Sequence, residues 1–401
     1  MTLDVLCPRL LILCAVLTAG GCAGPATAPL TAVPVAPAAV DVPDELLLDV
    51  NIAILDPGIE NLDPKRATTT PGIRRAEGHY VALRLRDTLA ATRQWGLVRV
   101  TPDATRIVDV MVSGRILESD GRTLEVEFTA HDSRSETWFT RTYEEHVSRY
   151  AYDMEIRRRQ EPFQNLYNRV ADDLRAYLDS HELSVRRTIR DTSALRFAAK
   201  LAPDAFDDHL ESSAQGKYTI RRLPAVGDPL LARVARIRVR DEAFIDHLQE
   251  AYDTFDRDMN RSYDHWREES YDEAEAADDL KSQALLRTIG GALAVVGGVL
   301  AQTSGNAAVR NAGVIGIGGG AYSIYSGAQK RADARIHTAA LKELSESLNA
   351  EVQPATIALT DETIELRGTV EEQYRQWQDL LIRIYRLETG EATSATVPIA
   401  D

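Results

Sequence analysis

Side chains able to do chemistry are plentiful in this 401-residue chain, so their spacing has to decide their use. The eight histidines, His79, His131, His146, His181, His209, His247, His265 and His337, include no pair four apart around a glutamate, which a helical zinc-protease site requires. No GxSxG elbow, P-loop or dinucleotide fingerprint occurs, and the glycines near residue 318 belong to a helical stretch. The run DRDMNRSYDHWR from Asp256 offers oxygen ligands at the first, third and fifth places of a calcium loop. It then carries Arg261 where the turn needs glycine and Arg267 where a glutamate should close the site, so it reads as helix. Asp120, Glu125, His131 and Asp132 form a polar group that could converge at one end of a sheet, although a hairpin turn is commonly polar for solvation alone. All three cysteines, Cys7, Cys14 and Cys22, precede residue 23, so neither a disulfide framework nor a cysteine metal site is expected beyond it. On these residues no catalytic group, cofactor or metal is assigned.

The formal net charge is -15, from 46 basic and 61 acidic residues, which argues against a nucleic-acid partner because phosphate backbones are met by a basic face. With 44% hydrophobic residues the chain is globular, and its length suits two or three domains. Residues 217–240 hold seven basic groups and one acid, whereas residues 241–280 hold fifteen acids and three arginines. The acidic stretch reads as one long helix with an apolar stripe of Phe244, Leu248, Tyr252, Phe255, Met259 and Trp266. Its acids are expected to form a solvated face leaning on the adjacent basic segment.

The elements that must position these groups follow from periodicity. A strand over 46–55 and a helix from about residue 73 to 95, entered through Thr70 and Pro71, come first. Three strands follow, hinged on the turn Asp120-Gly121, with Leu124, Val126 and Phe128 alternating onto one face. The resulting β-α-β-β-β order over residues 44–157 resembles small α+β domains of periplasmic lipoproteins, among them activators of peptidoglycan synthases and components of the Tol and curli systems. Residues 158–286 read as mostly helical, with Phe163, Leu166, Val170, Leu174 and Leu178 along one face. The fold class expected is α+β: the β-α-β-β-β domain, a helical middle region, an antiparallel glycine-rich helical hairpin and a C-terminal αββαβ module.

At the N-terminus an apolar block, LLILCAVL, is followed by LTAGGCAG, which resembles a bacterial lipoprotein signal over residues 1–21. The resemblance implies that Cys22 is lipidated after cleavage and, with Ala23 behind it, sorted to the outer membrane, facing the periplasm. Residues 22–43 are Pro/Ala-rich and suit a tether. Several acyl chains on one cysteine would make the anchor stable.

Gly291, Gly298 and Gly305 are seven apart, as are Gly313, Gly320 and Gly327, so each set drifts only about 20° per step along a helix. Folded back near Val309 the sets would meet in antiparallel layers, and glycine's cost of about 1 kcal/mol per helical position would be offset by close backbone packing. Residues 287–329 resemble the glycine-zipper hairpins of bacterial envelope lipoproteins. Each arm of about 17 residues would span roughly 25 Å, so bilayer insertion and self-association both remain open. Residues 330–401, with ETIELRGTV at their centre and Gly390 as a helix cap, resemble the BON modules of envelope proteins, which the resemblance associates with phospholipid surfaces and protein contacts.

The function expected is therefore non-enzymatic: an outer-membrane lipoprotein with an envelope scaffolding or integrity role and protein partners or self-association. An oligomeric component of an export system and an envelope hydrolase without a recognisable motif are the alternatives.

Overall fold

The structure, a computed structural model, describes residues 34–35, 42–62, 69–301, 355–358 and 363–389, with the backbone alone for residues 61, 277, 279–301 and 358. Thr70 opens helix α1 (Pro71–Thr92): its side chain accepts the Ile73 amide at 3.4 Å, and Pro71 occupies the first turn, where no amide donor is needed. The helix stops at Thr92, three residues before the expected end, because Arg93 turns left-handed at φ 55°. It connects β1 (Val50–Ala53) to its parallel neighbour β2 (Val98–Thr101). Strand β3 (Val110–Ser119) runs parallel to β1 on its other side. Strands β4 (Thr123–Asp132) and β5 (Thr137–His146) continue the sheet antiparallel, giving the order β2-β1-β3-β4-β5. Leu124, Val126, Phe128 and Ala130 are all buried, as their alternation requires.

Helix α2 (Gln164–Asp179) buries Phe163, Leu166, Val170, Leu174 and Leu178, and α3 (Leu183–Leu201) follows it. A hairpin of two three-residue strands, β6 (Leu210–Ser212) with β7 (Tyr218–Ile220), then interrupts the region that periodicity reads as mostly helical. Asp228 caps the next helix by accepting the amides of Leu230 and Leu231 at 2.8 and 3.1 Å. This helix, α4 (Pro229–Ala301), is 73 residues long and runs unbroken through the expected junction at residue 287. Near the C-terminus β8 (Ala355–Ala358) pairs antiparallel with β9 (Thr363–Leu366) ahead of α5 (Val370–Thr389). A reciprocal cap starts α5: Glu372 accepts the Thr369 amide at 2.9 Å, and Thr369 accepts the Glu372 amide at 3.2 Å. The chain is thus mixed α and β, around one five-stranded mixed sheet whose β-α-β-β-β-β order has one strand more than the expected β-α-β-β-β. One apolar core joins the sheet, α2, α3, the first part of α4 and α5, and the Trp377 ring stacks on Phe244 at 4.7 Å.

Candidate functional site

The feature on which the most elements converge is the seat of α4. Its stripe packs inward: Phe255, Met259, Tyr263 and Trp266 form a cluster with Ile73, Ala76 and Tyr80 of α1. The solvated face leaning on residues 217–240, expected from charge patterning, is formed only in part: Glu242 meets Arg238 at 3.6 Å and Glu250 is exposed. Other acids pair with arginines of the sheet domain. Asp241 meets Arg106 at 2.9 Å, Asp246 takes both forks of Arg99 at 2.7 and 3.0 Å, and Asp253 meets Arg86 at 2.7 Å. Further along, Asp256 pairs with Arg84, Glu268 and Asp272 with Arg149, and Asp278 with Arg122. From residue 229 the basic segment opens the same helix, so along that helix its arginines can reach only acids about one turn away, as Arg238 does with Glu242. The exposed pairs contribute little singly, and their joint effect is to set the register of a long helix on the body. A compositional signal was available: residues 74–159 contain fifteen arginines and no lysine, the choice expected where planar guanidinium forks meet carboxylates.

Helix α4 also covers an open sheet edge. β2 is an edge strand, and the Gln249 side chain accepts the Val100 amide at 2.9 Å while donating to the Val100 carbonyl at 2.8 Å. One glutamine thus imitates the next strand.

Beneath the clamp lies a buried polar core. Arg267 donates to both oxygens of Glu161, at 2.5 and 3.3 Å, to Asp264 at 2.7 Å and to the Tyr80 hydroxyl at 3.2 Å. Its guanidinium lies 4.7 and 5.1 Å from the Tyr263 and Tyr80 ring centres. Burial opposes its charge, and Glu161 together with the surrounding hydroxyls outweighs that and holds its pKa well above the ordinary value. Glu77, wholly enclosed, accepts Ser119 Oγ at 2.5 Å and the Tyr263 hydroxyl at 2.8 Å, with Arg74 at 3.6 Å. Burial raises its pKa despite Arg74. A carboxyl buried in this way ties α1, β3 and α4 together.

The Asp120-Gly121 turn fits into the same place. At φ 76° Gly121 comes so close that an added Cβ would lie 2.0 Å from the Arg267 carbonyl oxygen. Asp120 is occupied by its own turn, accepting the Arg122 and Thr123 amides at 3.0 and 2.8 Å.

The polar group considered from sequence does not assemble. Asp120 precedes β4, whereas His131 and Asp132 close it, so a ten-residue strand of about 3.3 Å per residue separates them by roughly 30 Å. Asp132 instead accepts the Trp138 indole at 3.0 Å and the Arg134 amide at 2.9 Å. Asp256 to Arg267 lie within α4, as their failure as a calcium loop implied. Gly291 and Gly298 lie on the last turns of α4. Cys22, Gly305, Gly313, Gly320 and Gly327, like His337 and Gly390, lie outside the described residues. Among the described residues no group of three or more His, Cys, Asp or Glu is placed to hold a metal ion, and no helix is long and apolar enough to cross a membrane. No protein-family model, curated protein or solved structure matches the chain.

Proposed function

We propose that this chain is a non-enzymatic outer-membrane lipoprotein that faces the periplasm and serves envelope scaffolding or integrity. The single observation behind this reading is the continuity of α4. The body grips the helix from Asp241 to Asp278, and the same helix then runs on through Gly291 and Gly298 into the glycine-rich segment. From residue 279 to 301 the helix axis advances about 35 Å at 1.5 Å per residue. In this reading the chain beyond it folds back as the antiparallel glycine hairpin over 287–329, which packs on a second copy or enters the bilayer. Residues 330–401 then form the αββαβ module, and the order β8-β9-α5 supports that arrangement. Cys22 anchors the other end through the Pro/Ala-rich tether.

Fractionation of cells carrying Cys22→Ala tests the anchor: the variant should leave the outer membrane for the soluble periplasm or remain an unprocessed precursor. Unchanged outer-membrane recovery would refute lipid anchorage. Crosslinking in intact cells tests the scaffold: Gly298→Leu or Gly320→Leu should abolish crosslinks that the unaltered chain forms. Crosslinks that survive both changes would remove the hairpin from the proposal.

A further inference from the structure

Where the chain enters the folded body, Val42 and Leu47 border a cleft of about 360 Å³. The C-terminal end of α1, the last turn of α2 and the first turn of α3 close it, and Trp95 and Leu178 supply apolar wall. Three guanidinium groups, those of Arg93, Arg175 and Arg186, line it against two carboxylates, Asp44 and Asp179, leaving a surplus of one positive charge.

The three arginines are not equivalent. Arg175 pairs with Asp179 within α2, so each largely neutralises the other. Arg186 is only 6% exposed, yet its side chain makes no hydrogen bond or ion pair among the described residues, and its Nη1 is covered and without a partner. Burial lowers its pKa, with Asp179 opposing from a distance. Arg93 is held left-handed at φ 55°, a conformation unfavourable for a residue with a Cβ, and that bend turns residues 93–95 into the cleft wall. Elsewhere in the body many arginines sit on carboxylates, as α4 illustrates, and Arg190 and Arg196 donate to the carbonyls of Leu47 and Ser133. An unpaired buried guanidinium lacks that compensation, and the partner that matches its planar fork is a carboxylate or a phosphate. The volume narrows the choice. A bare inorganic ion would leave most of the space empty, whereas 360 Å³ falls within the range of about 300 to 1,000 Å³ typical of organic ligands.

We propose that this cleft binds an organic anion whose single carboxylate or phosphate pairs with Arg186, assisted by Arg93, and whose apolar part lies against Trp95 and Leu178. This site is independent of the anchor and the glycine hairpin.

Calorimetric titration of the full chain in detergent with phenyl phosphate, benzoate, inorganic phosphate and neutral benzyl alcohol tests it. At least one of the two organic anions should bind saturably and about tenfold or more tighter than inorganic phosphate, while benzyl alcohol should not bind saturably. Arg186→Met should weaken the organic anion about tenfold or more, and the exposed control Arg158→Met should leave it unchanged. Without ligand, Arg186→Met should melt at or above the temperature of the unaltered chain, because an uncompensated charge has left the interior. Arg93→Asn, which tolerates the left-handed bend, supplies a second variant that should weaken binding without loss of stability. Absence of saturable binding by both organic anions, equal affinity for inorganic phosphate, undiminished binding by Arg186→Met, or a melting temperature lowered by more than about 3 °C in that variant would each overturn the assignment.

Discussion

Replacing Arg267 with Met removes the charge at the centre of the α4 seat while keeping an unbranched stem of similar reach and good helix propensity. The Arg267 side chain is 2% exposed and that of its partner Glu161 11%, so solvent cannot replace either. Without the guanidinium, Glu161 keeps, among the described residues, only the Tyr80 hydroxyl at 2.7 Å, and breaking a buried pair in this way costs about 3–5 kcal/mol. The two faced rings lose a cation at 4.7 and 5.1 Å, adding roughly 0.5–2 kcal/mol. Asp264, less buried, retains Arg157 at 3.6 Å and should add little. A loss of about 4 kcal/mol or more is therefore expected. A chain of this size need not unfold in one step, so the measurement should be local: amide hydrogen exchange over residues 255–271. Four kcal/mol corresponds to exchange faster by nearly three decades. Adding Glu161→Gln removes the stranded carboxylate, so the double variant should recover about 1.5 kcal/mol or more relative to the sum of the single changes. Acceleration below about tenfold, or strict additivity of the two changes, would show that the pair does not hold the helix down.

Gly121→Ala should destabilise the protein by more than about 2 kcal/mol in thermal melts, since it combines a positive φ with a clash against the Arg267 carbonyl. Gly216→Ala is its control: φ is 77° but nothing lies within 4 Å, so about 1 kcal/mol is expected, and equal losses would argue that the helix contact is unimportant. Gln249→Ala should cost about 1–3 kcal/mol and speed exchange of the Val100 amide, whose only described partner it removes; unaltered exchange there would contradict edge capping. His79 lies 5.6 and 6.0 Å from the Phe255 and Tyr252 ring centres, and burial lowers its pKa from 6.5, with the Arg75 carbonyl and Glu371 opposing. Its unfolded form therefore takes up a proton first, so its contribution is constant above pH 6.5 and stability is lost as pH falls below 6.5 toward the folded value. Melting between pH 7.5 and 5.5 should show that loss in the unaltered chain and a shallower slope in His79→Phe; identical slopes would exclude His79 as the cause.

Much of the fold was legible because its signals are local. The stripe from Phe244 to Trp266, the row from Phe163 to Leu178 and the alternation along β4 each need only one element and one core-facing side, and all are buried as read. Thr70-Pro71 and Asp120-Gly121 mark a helix entry and a hairpin turn through bonds made within four residues. The β6-β7 hairpin escaped notice because three-residue strands carry too little periodicity to stand out. The strand length between Asp120 and Asp132 could have ruled out their convergence in advance.

What only the tertiary structure decided is how charge is distributed. Arg84 and Asp256 are 172 positions apart, Arg99 and Asp246 147, and Arg267 reaches Glu161 across 106. Charge patterning is read between neighbours and assigned the acids of α4 to solvent and to the adjacent basic segment, whereas a helix presents a residue to whatever its core stripe docks against. The cleft around Arg186 draws its wall from residues 42–47 and the ends of three helices, and no single stretch of sequence contains enough of it to be recognised. Periodicity along the chain specifies which face of an element turns inward. Which opposite charge then meets it, or fails to, depends on long-range packing that local spacing does not encode.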